Sequence, residues 1–207
     1  MKNKEHERIL HGSVLVLMSI DMPSITPSPI FLITGPPGAG KSSVAVSLLQ
    51  RFPFGFHLPL DDLREWVVSG IAHPVPNWTQ ETTRQFDLAR QGAVQLAKQY
   101  ANAGFAVVID DIVNVQDVTR HFSPALERYS FHKIILLPSI TVALQRNRER
   151  TNKRFDTNVL DTPIRNIHQW FSEQVVAPKE WLILDTSDLT IDETVDRILS
   201  HFHNRIS

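Results

Sequence analysis

The sequence lacks cysteine altogether, which removes disulfides, thiolate catalysis and Cys-based metal sites from consideration. It also lacks an excess of either charge. Lys and Arg total 21 against 22 Asp and Glu, a formal net charge of −1, so no global attraction to nucleic acid is expected and only a local basic cluster could supply one. Long apolar runs are missing too. The early run over residues 14–20 is far too short to span a bilayer. Lys2, Lys4 and Arg8 before it give it a faint likeness to a signal peptide. Glu5, Glu7 and Asp21 around it, and the want of a small-residue cleavage site after it, argue against that. Residues 1–28 therefore read as an N-terminal extension expected to be disordered, with Met18 or Met22 as alternative starts.

What is present suits one globular domain over residues 29–207. Hydrophobic residues make up 42% and charged residues 21% of the chain, enough for a substantial core. After a Pro- and Ser-rich linker, residues 30–34 form a short apolar run of the kind buried in a parallel sheet. Val44, Ala45, Leu48 and Leu49 then recur at helical spacing until Pro53. Further strands are predicted at 56–60, 105–109, 133–137 and 181–184. Helices are predicted at 63–69, 81–103, 141–150 and 163–176, with a closing helix from Thr190, where Thr190 and Glu193 fit a capping box. Strand and helix in alternation imply an α/β fold: a mostly parallel five-stranded sheet with helices on both faces. Ligands of such sheets sit outside the carboxyl ends of the strands.

Gly35-Pro36-Pro37-Gly38-Ala39-Gly40-Lys41-Ser42, followed by Ser43, matches the phosphate-binding pattern G-x-x-x-x-G-K-S between a strand and a helix. Glycines let backbone N–H groups turn inward around phosphates, and the helix beginning near Lys41 points its positive end at the same anion. Lys41 is expected to bridge the β- and γ-phosphates of ATP, and Ser42 to ligate Mg²⁺. Asp110 ends the apolar run Ala106-Val107-Val108-Ile109 and is the preferred second metal-side group, with Asp111 left to face the substrate or cap the next segment. Asp61, preferred over Asp62, is a candidate base that orients or deprotonates an acceptor hydroxyl. The alternative for this pair is capping of the helix from Leu63.

Arg146, Arg148, Arg150, Lys153 and Arg154 form a basic cluster. Arg146 and Arg150, four apart, are the candidates for a lid that spreads phosphoryl charge; a solvated helix face or a nucleic-acid patch are the alternatives. The histidines form no His-Glu-x-x-His pattern, and His201 and His203 read as surface residues. Trp78 either stacks on a planar substrate or packs in the core.

On these residues the chain resembles the P-loop kinases related to nucleoside monophosphate kinases, and among them the chloramphenicol phosphotransferase family. The P-loop, Leu60-Asp61-Asp62-Leu63 with Glu65 following, Ala103-Gly104-Phe105 leading into Val108-Ile109-Asp110-Asp111, and the Arg146 and Arg150 spacing carry the likeness. It implies a three-layer P-loop NTPase fold with a small basic lid, and ATP-dependent phosphorylation of a small-molecule hydroxyl, with the base at Asp61, the magnesium-side acid near Asp110 and the P-loop lysine at Lys41. The segment 70–79, which would shape the acceptor pocket, has no such likeness. The competing readings are a nucleoside, nucleotide or polynucleotide 5′-end kinase and, from another class, a nucleotide-binding ATPase switch. Asp110-Asp111 is not the Asp-Glu pair of hydrolytic machines, which favours transfer. A cysteine-free, ATP-using chain fits the cytoplasm.

Overall fold

Strands without a polar face need cover on both sides, and the molecule supplies it. The computed structural model describes residues 26–75, 77–149, 161–173 and 180–203. In chain order these form β1 (Ile30–Thr34), α1 (Lys41–Leu49), β2 (Gly55–Pro59), α2 (Leu60–Glu65), α3 (Gln80–Asn102), β3 (Ala106–Asp110), α4 (Val115–His121), α5 (Ser123–Leu126), β4 (Phe131–Leu136), α6 (Ile140–Arg148), α7 (Asp161–Glu173), β5 (Trp181–Leu184) and α8 (Ile191–His203). The sheet has five strands in the order β2-β3-β1-β4-β5, and every pairing is parallel. The expected sheet was mostly parallel; it is wholly so. Most of the expected extension, residues 1–25, lies outside the described residues, as do Arg150 and residues 174–176 at the end of the helix expected to reach 176.

Residues of β1 and β3 are buried along their whole length. Their side chains alternate between two cores. Ile30, Leu32, Val107 and Ile109 pack with Phe86, Ala93 and Ala97 of α3, while Phe31, Ile33 and Val108 pack with Val44 and Leu48 of α1 and Val195 and Ile198 of α8. Among the described residues no helix is long and apolar enough to cross a membrane.

Local chemistry sets the boundaries. Thr79 and Thr82 form a reciprocal capping box at the start of α3, and Gly104, at φ +88°, releases the chain from its end. Thr190 and Glu193 form the expected box before α8: the Thr190 N–H and hydroxyl donate to the Glu193 carboxylate, and the Glu193 N–H donates to Thr190 Oγ1. The expectation for β2 and α2 needs correction. β2 stops at Pro59, which occupies the N-cap position with no side-chain cap, and α2 already begins at Leu60. Proline is pre-set for a helix entry and Leu60 is fully buried, so the turn closes three residues earlier than the hydrophobic pattern suggested. Asp61 and Asp62 consequently occupy the first turn of α2 and do not cap a helix from Leu63. There their charges face the positive end of the helix.

The alternation of β3 continues past its last residue. Asp110 falls on the α1 side, and Asp111 turns to α3, where its carboxylate accepts from Arg90 Nε at 2.9 Å. Both partners are buried. Burial pushes the Asp111 carboxyl above its usual range, opposed by the Arg90 charge. Thr34 clamps the chain just beyond: its hydroxyl donates to the Val113 carbonyl and accepts the Val113 N–H.

Removing one partner of a buried pair strands the other. Arg90→Met should therefore lower stability by about 3–5 kcal/mol, and the double change Arg90→Met with Asp111→Leu should recover most of that loss. Urea unfolding followed by circular dichroism measures both. A single variant as stable as the parent would remove the pair from the fold's supports.

Candidate active site

The P-loop begins where β1 ends, and its glycines are demanded by their neighbours. Gly35 has φ +146° and Gly38 φ +82°. A Cβ on Gly35 would collide with the Leu136 carbonyl at the end of β4, and one on Gly38 with the Ala143 carbonyl of α6. The loop is thus pressed between a strand end and a helix backbone, and side-chain-free residues are the ones that fit. Gly40, also left-handed at φ +89°, occupies the N-cap of α1. The orphan N–H groups of that helix face the loop's mouth. Lys41 Nζ donates to the Gly35 and Pro36 carbonyls at 3.1 and 3.3 Å, so its ammonium lies folded over the loop.

Ser42 Oγ donates to Asp110 Oδ2 at 2.6 Å, joining the first turn of α1 to the end of β3. The hydroxyl's lone pairs remain available on its other side. Burial pushes the Asp110 carboxyl up, but the His57 imidazole, the Lys41 charge and the Ser42 hydroxyl outweigh it, and the group lies below the usual carboxylate range. Two hard oxygens, Ser42 Oγ and an ionised Asp110, are therefore set side by side at the loop's mouth. Such a pair could hold a hard divalent cation.

A cavity of about 330 Å³ extends from Gly38, Lys41 and Ser42 toward Arg146, Thr186 and Thr190. Ser43 also lines it, whereas Pro36 opens the turn through Pro37 and Gly38, which closes as the Ala39 N–H donates to the Pro36 carbonyl at 3.2 Å. Arg146 belongs to α6, and its guanidinium donates to the Thr186 carbonyl at 2.9 Å and to Thr186 Oγ1 at 3.4 Å. It forms a wall of the cavity by tying α6 to the segment after β5. Arg150, its expected partner, lies outside the described residues.

Asp61 lies on the same rim. In the β2–β3 ladder Pro59 pairs with Asp110, so the first turn of α2 starts beside the Asp110 end of the sheet. Asp61 is exposed, and its charge acts on Arg64 and on Asp111. Arg64 is buried. Its guanidinium lies over the Phe86 ring at 3.8 Å and donates to the Ala72 carbonyl at 2.7 Å, while its Nε has no hydrogen-bond partner. Burial lowers its pKa. Trp78, about half exposed, stacks on Phe86 at 5.0 Å and donates from Nε1 to Thr83 Oγ1 at 2.7 Å, so it packs at the edge of the core without entering it. Gln85 fastens the segment between α2 and α3 by donating to the Gly70 carbonyl and accepting the Ala72 N–H.

Arg64, Arg90 and His57 are missing from the sequence-based assignment. Arg64 follows Asp61 by three residues, a spacing that makes helix neighbours. Arg90 interrupts the apolar face carrying Phe86, Ala93 and Ala97, and a charge in a core stripe is a signal in its own right. His57 shares the Asp110 face because the β2–β3 register pairs it with Val108, two residues before Asp110.

A glycine loop of this kind, between a parallel strand and a helix and facing a strand-end aspartate, defines the P-loop nucleotide-binding class. Within that class the chain belongs to the AAA domain family, whose model matches residues 30–174. In structure it is similar to the APS kinase CysC of Mycobacterium tuberculosis in complex with AMPPNP and APS, at 17% identity over 86% of this chain and 99% of that one, with a TM-score of 0.61. It is similar also to the tunicamycin resistance protein of Deinococcus radiodurans, at 18% identity over 84% of this chain and 95% of that one, with a TM-score of 0.56. Shikimate kinase from Acinetobacter baumannii in complex with shikimate is a third such structure, at 15% identity over 88% of this chain and 96% of that one, with a TM-score of 0.55. These likenesses show the α/β fold of the P-loop kinases. No curated protein sequence matches the chain significantly.

Gly38→Ala puts a methyl group into the α6 backbone at a left-handed position. It should reduce affinity for a non-hydrolysable ATP analogue by on the order of 100-fold or more, because the loop cannot keep its N–H groups in place. Arg146→Ala should weaken the same binding by about 10-fold, the loss of one charge-assisted bond in the wall. Calorimetry reads both changes. A fall in kcat with nucleotide affinity intact would restore Arg146 to the lid role expected from its spacing.

Proposed function

We propose that the protein transfers the γ-phosphoryl group of ATP to a hydroxyl of a small molecule. The observation that carries this reading is the position of Asp61, a carboxylate in the turn that follows the Asp110 partner Pro59, on the rim shared with the P-loop. Hydrolysis needs no carboxylate reserved for an acceptor; transfer does. The likeness of Leu60-Asp61-Asp62-Leu63 to the chloramphenicol phosphotransferase family supports the same role.

In this reading the N–H groups from Gly38 to Ser43 and the start of α1 hold the phosphates. Lys41 leaves its loop carbonyls for the β- and γ-phosphoryl oxygens. Arg146 and Thr186 wall the far end of the cavity. Ser42 and Asp110 would hold Mg²⁺, and their oxygens fit it. Among the described residues no group of three or more His, Cys, Asp or Glu could cage an ion, which suits a cation that keeps its waters and leans on phosphate oxygens. When bound, Mg²⁺ neutralises charge on the β- and γ-oxygens. Asp61 accepts the proton of the acceptor hydroxyl as its oxygen bonds to the γ-phosphorus. The bond from that phosphorus to the bridging oxygen breaks, and ADP carries the electron pair away.

A nucleotide or nucleic-acid 5′ end as acceptor is the second reading, favoured by one feature. Arg64 has an unpartnered Nε and lies on Phe86, which also carries the half-exposed Trp78. A buried cation beside an aromatic platform suits an acceptor with a negative group and a flat ring.

A coupled ADP-release screen against hydroxylated metabolites, antibiotics, nucleosides, nucleotides and oligonucleotides separates the readings. Asp61→Asn should retain ATP-analogue binding and lose acceptor phosphorylation by roughly 10²- to 10⁴-fold, the span of general-base loss. Acceptor-independent hydrolysis at full rate in both proteins would place the chain among ATPase switches.

A further inference from the structure

His57 occupies the middle of β2, the strand at the edge of the sheet. Its neighbours Phe56 and Leu58 point to the α3 core. The alternation therefore sends His57 the other way, onto the face that holds α1 and the P-loop. There its Nε2 is buried and makes no hydrogen bond. The atom lies 3.6 Å from Asp110 Oδ2, slightly beyond hydrogen-bond length. That oxygen already accepts the Ser42 hydroxyl at 2.6 Å.

A buried polar atom that faces a carboxylate yet falls short of a hydrogen bond calls for an explanation. Packing alone does not supply one, since an apolar side chain would fill an edge-strand site without leaving a ring nitrogen unsatisfied. A small rotation of the ring brings Nε2 within reach of the carboxylate, and a neutral ring protonated on Nε2 is sufficient to donate.

We propose that His57 is a positioning residue for the metal-side carboxylate. By engaging the Asp110 oxygen that also takes the Ser42 hydroxyl, it holds the group in one rotamer and leaves Oδ1 to be offered to a water of the bound cation. The proposal rests on the reading of Asp110 as that carboxylate. His57 touches neither nucleotide nor acceptor; it acts through Asp110, as outer-shell groups act on ligands at other metal sites. Its place on an edge strand also makes it replaceable without breaking a two-sided ladder.

The test uses Mn²⁺ as a spin-active probe, titrated into the full chain with a non-hydrolysable ATP analogue and followed by electron paramagnetic resonance. His57→Ala should weaken Mn²⁺ binding by about 10-fold, the lower end of the outer-shell range. It should raise the Mg²⁺ concentration for half-maximal turnover to match, with metal-free analogue affinity unchanged. His57→Gln, which keeps an N–H donor near the same place, should restore binding to within about threefold of the parent. His57→Phe, which restores bulk alone, should behave like His57→Ala. Parental Mn²⁺ affinity in His57→Ala would overturn the proposal, as would rescue by phenylalanine equal to that by glutamine. Asp110→Asn separates the two layers of inference. If it weakens Mn²⁺ while His57→Ala does not, only the role of His57 is lost. If Asp110→Asn binds Mn²⁺ like the parent, the metal-side reading of Asp110 fails and takes the role of His57 with it.

Discussion

The two-residue period of a β-strand is the constraint on which this site depends. β3 runs buried through the middle of the sheet and then delivers two carboxylates in succession. Because neighbouring residues point to opposite faces, Asp110 meets α1 and the P-loop whereas Asp111 meets α3. Each finds hydrogen bonds on its own side, from Ser42 in one case and Arg90 in the other. A shift of one residue in the register of β3 would exchange them, leaving the P-loop side with the Arg90 partner and the α3 side with the acid that meets Ser42. The sheet register is therefore part of the chemistry.

The nucleotide side is built to hold still. Gly35 and Gly38 abut backbone carbonyls of β4 and α6, and Arg146 binds α6 to the segment after β5. Loop, helix and wall are fixed by backbone contacts and by one guanidinium. The α2 side is made differently. α2 has six residues, and the segment after it is held by side chains of α3, chiefly Gln85, Phe86 and Thr83. The P-loop is thus set in the frame of the fold by backbone contacts, while the segment after α2 is held to α3 by side chains.

The sequence was informative wherever the signal was local. The P-loop is a contiguous pattern, the apolar runs of β1 and β3 are continuous, and the box at Thr190 and Glu193 spans a single turn. The start of α2 was misjudged because the apolar period seemed to begin at Leu63, whereas Pro59 and the buried Leu60 had already closed the turn. Arg64, Arg90 and His57 were passed over for another reason. Their meaning lies in partners on other elements: Phe86 for Arg64, Asp111 for Arg90 and Asp110 for His57. Arg146 illustrates the same limit. Its partner Thr186 is forty residues away in sequence, and only folding brings the two together.

β2 carries His57 and leads into Asp61, yet it hydrogen-bonds to β3 alone. A strand zipped along one edge is held by half the ladder that secures β1. The stretch that reaches Asp61 thus hangs from one margin of the sheet, while β1 and β3, which feed the P-loop and Asp110, lie inside it. β2 can therefore loosen at that margin without parting the strands that carry the P-loop and Asp110.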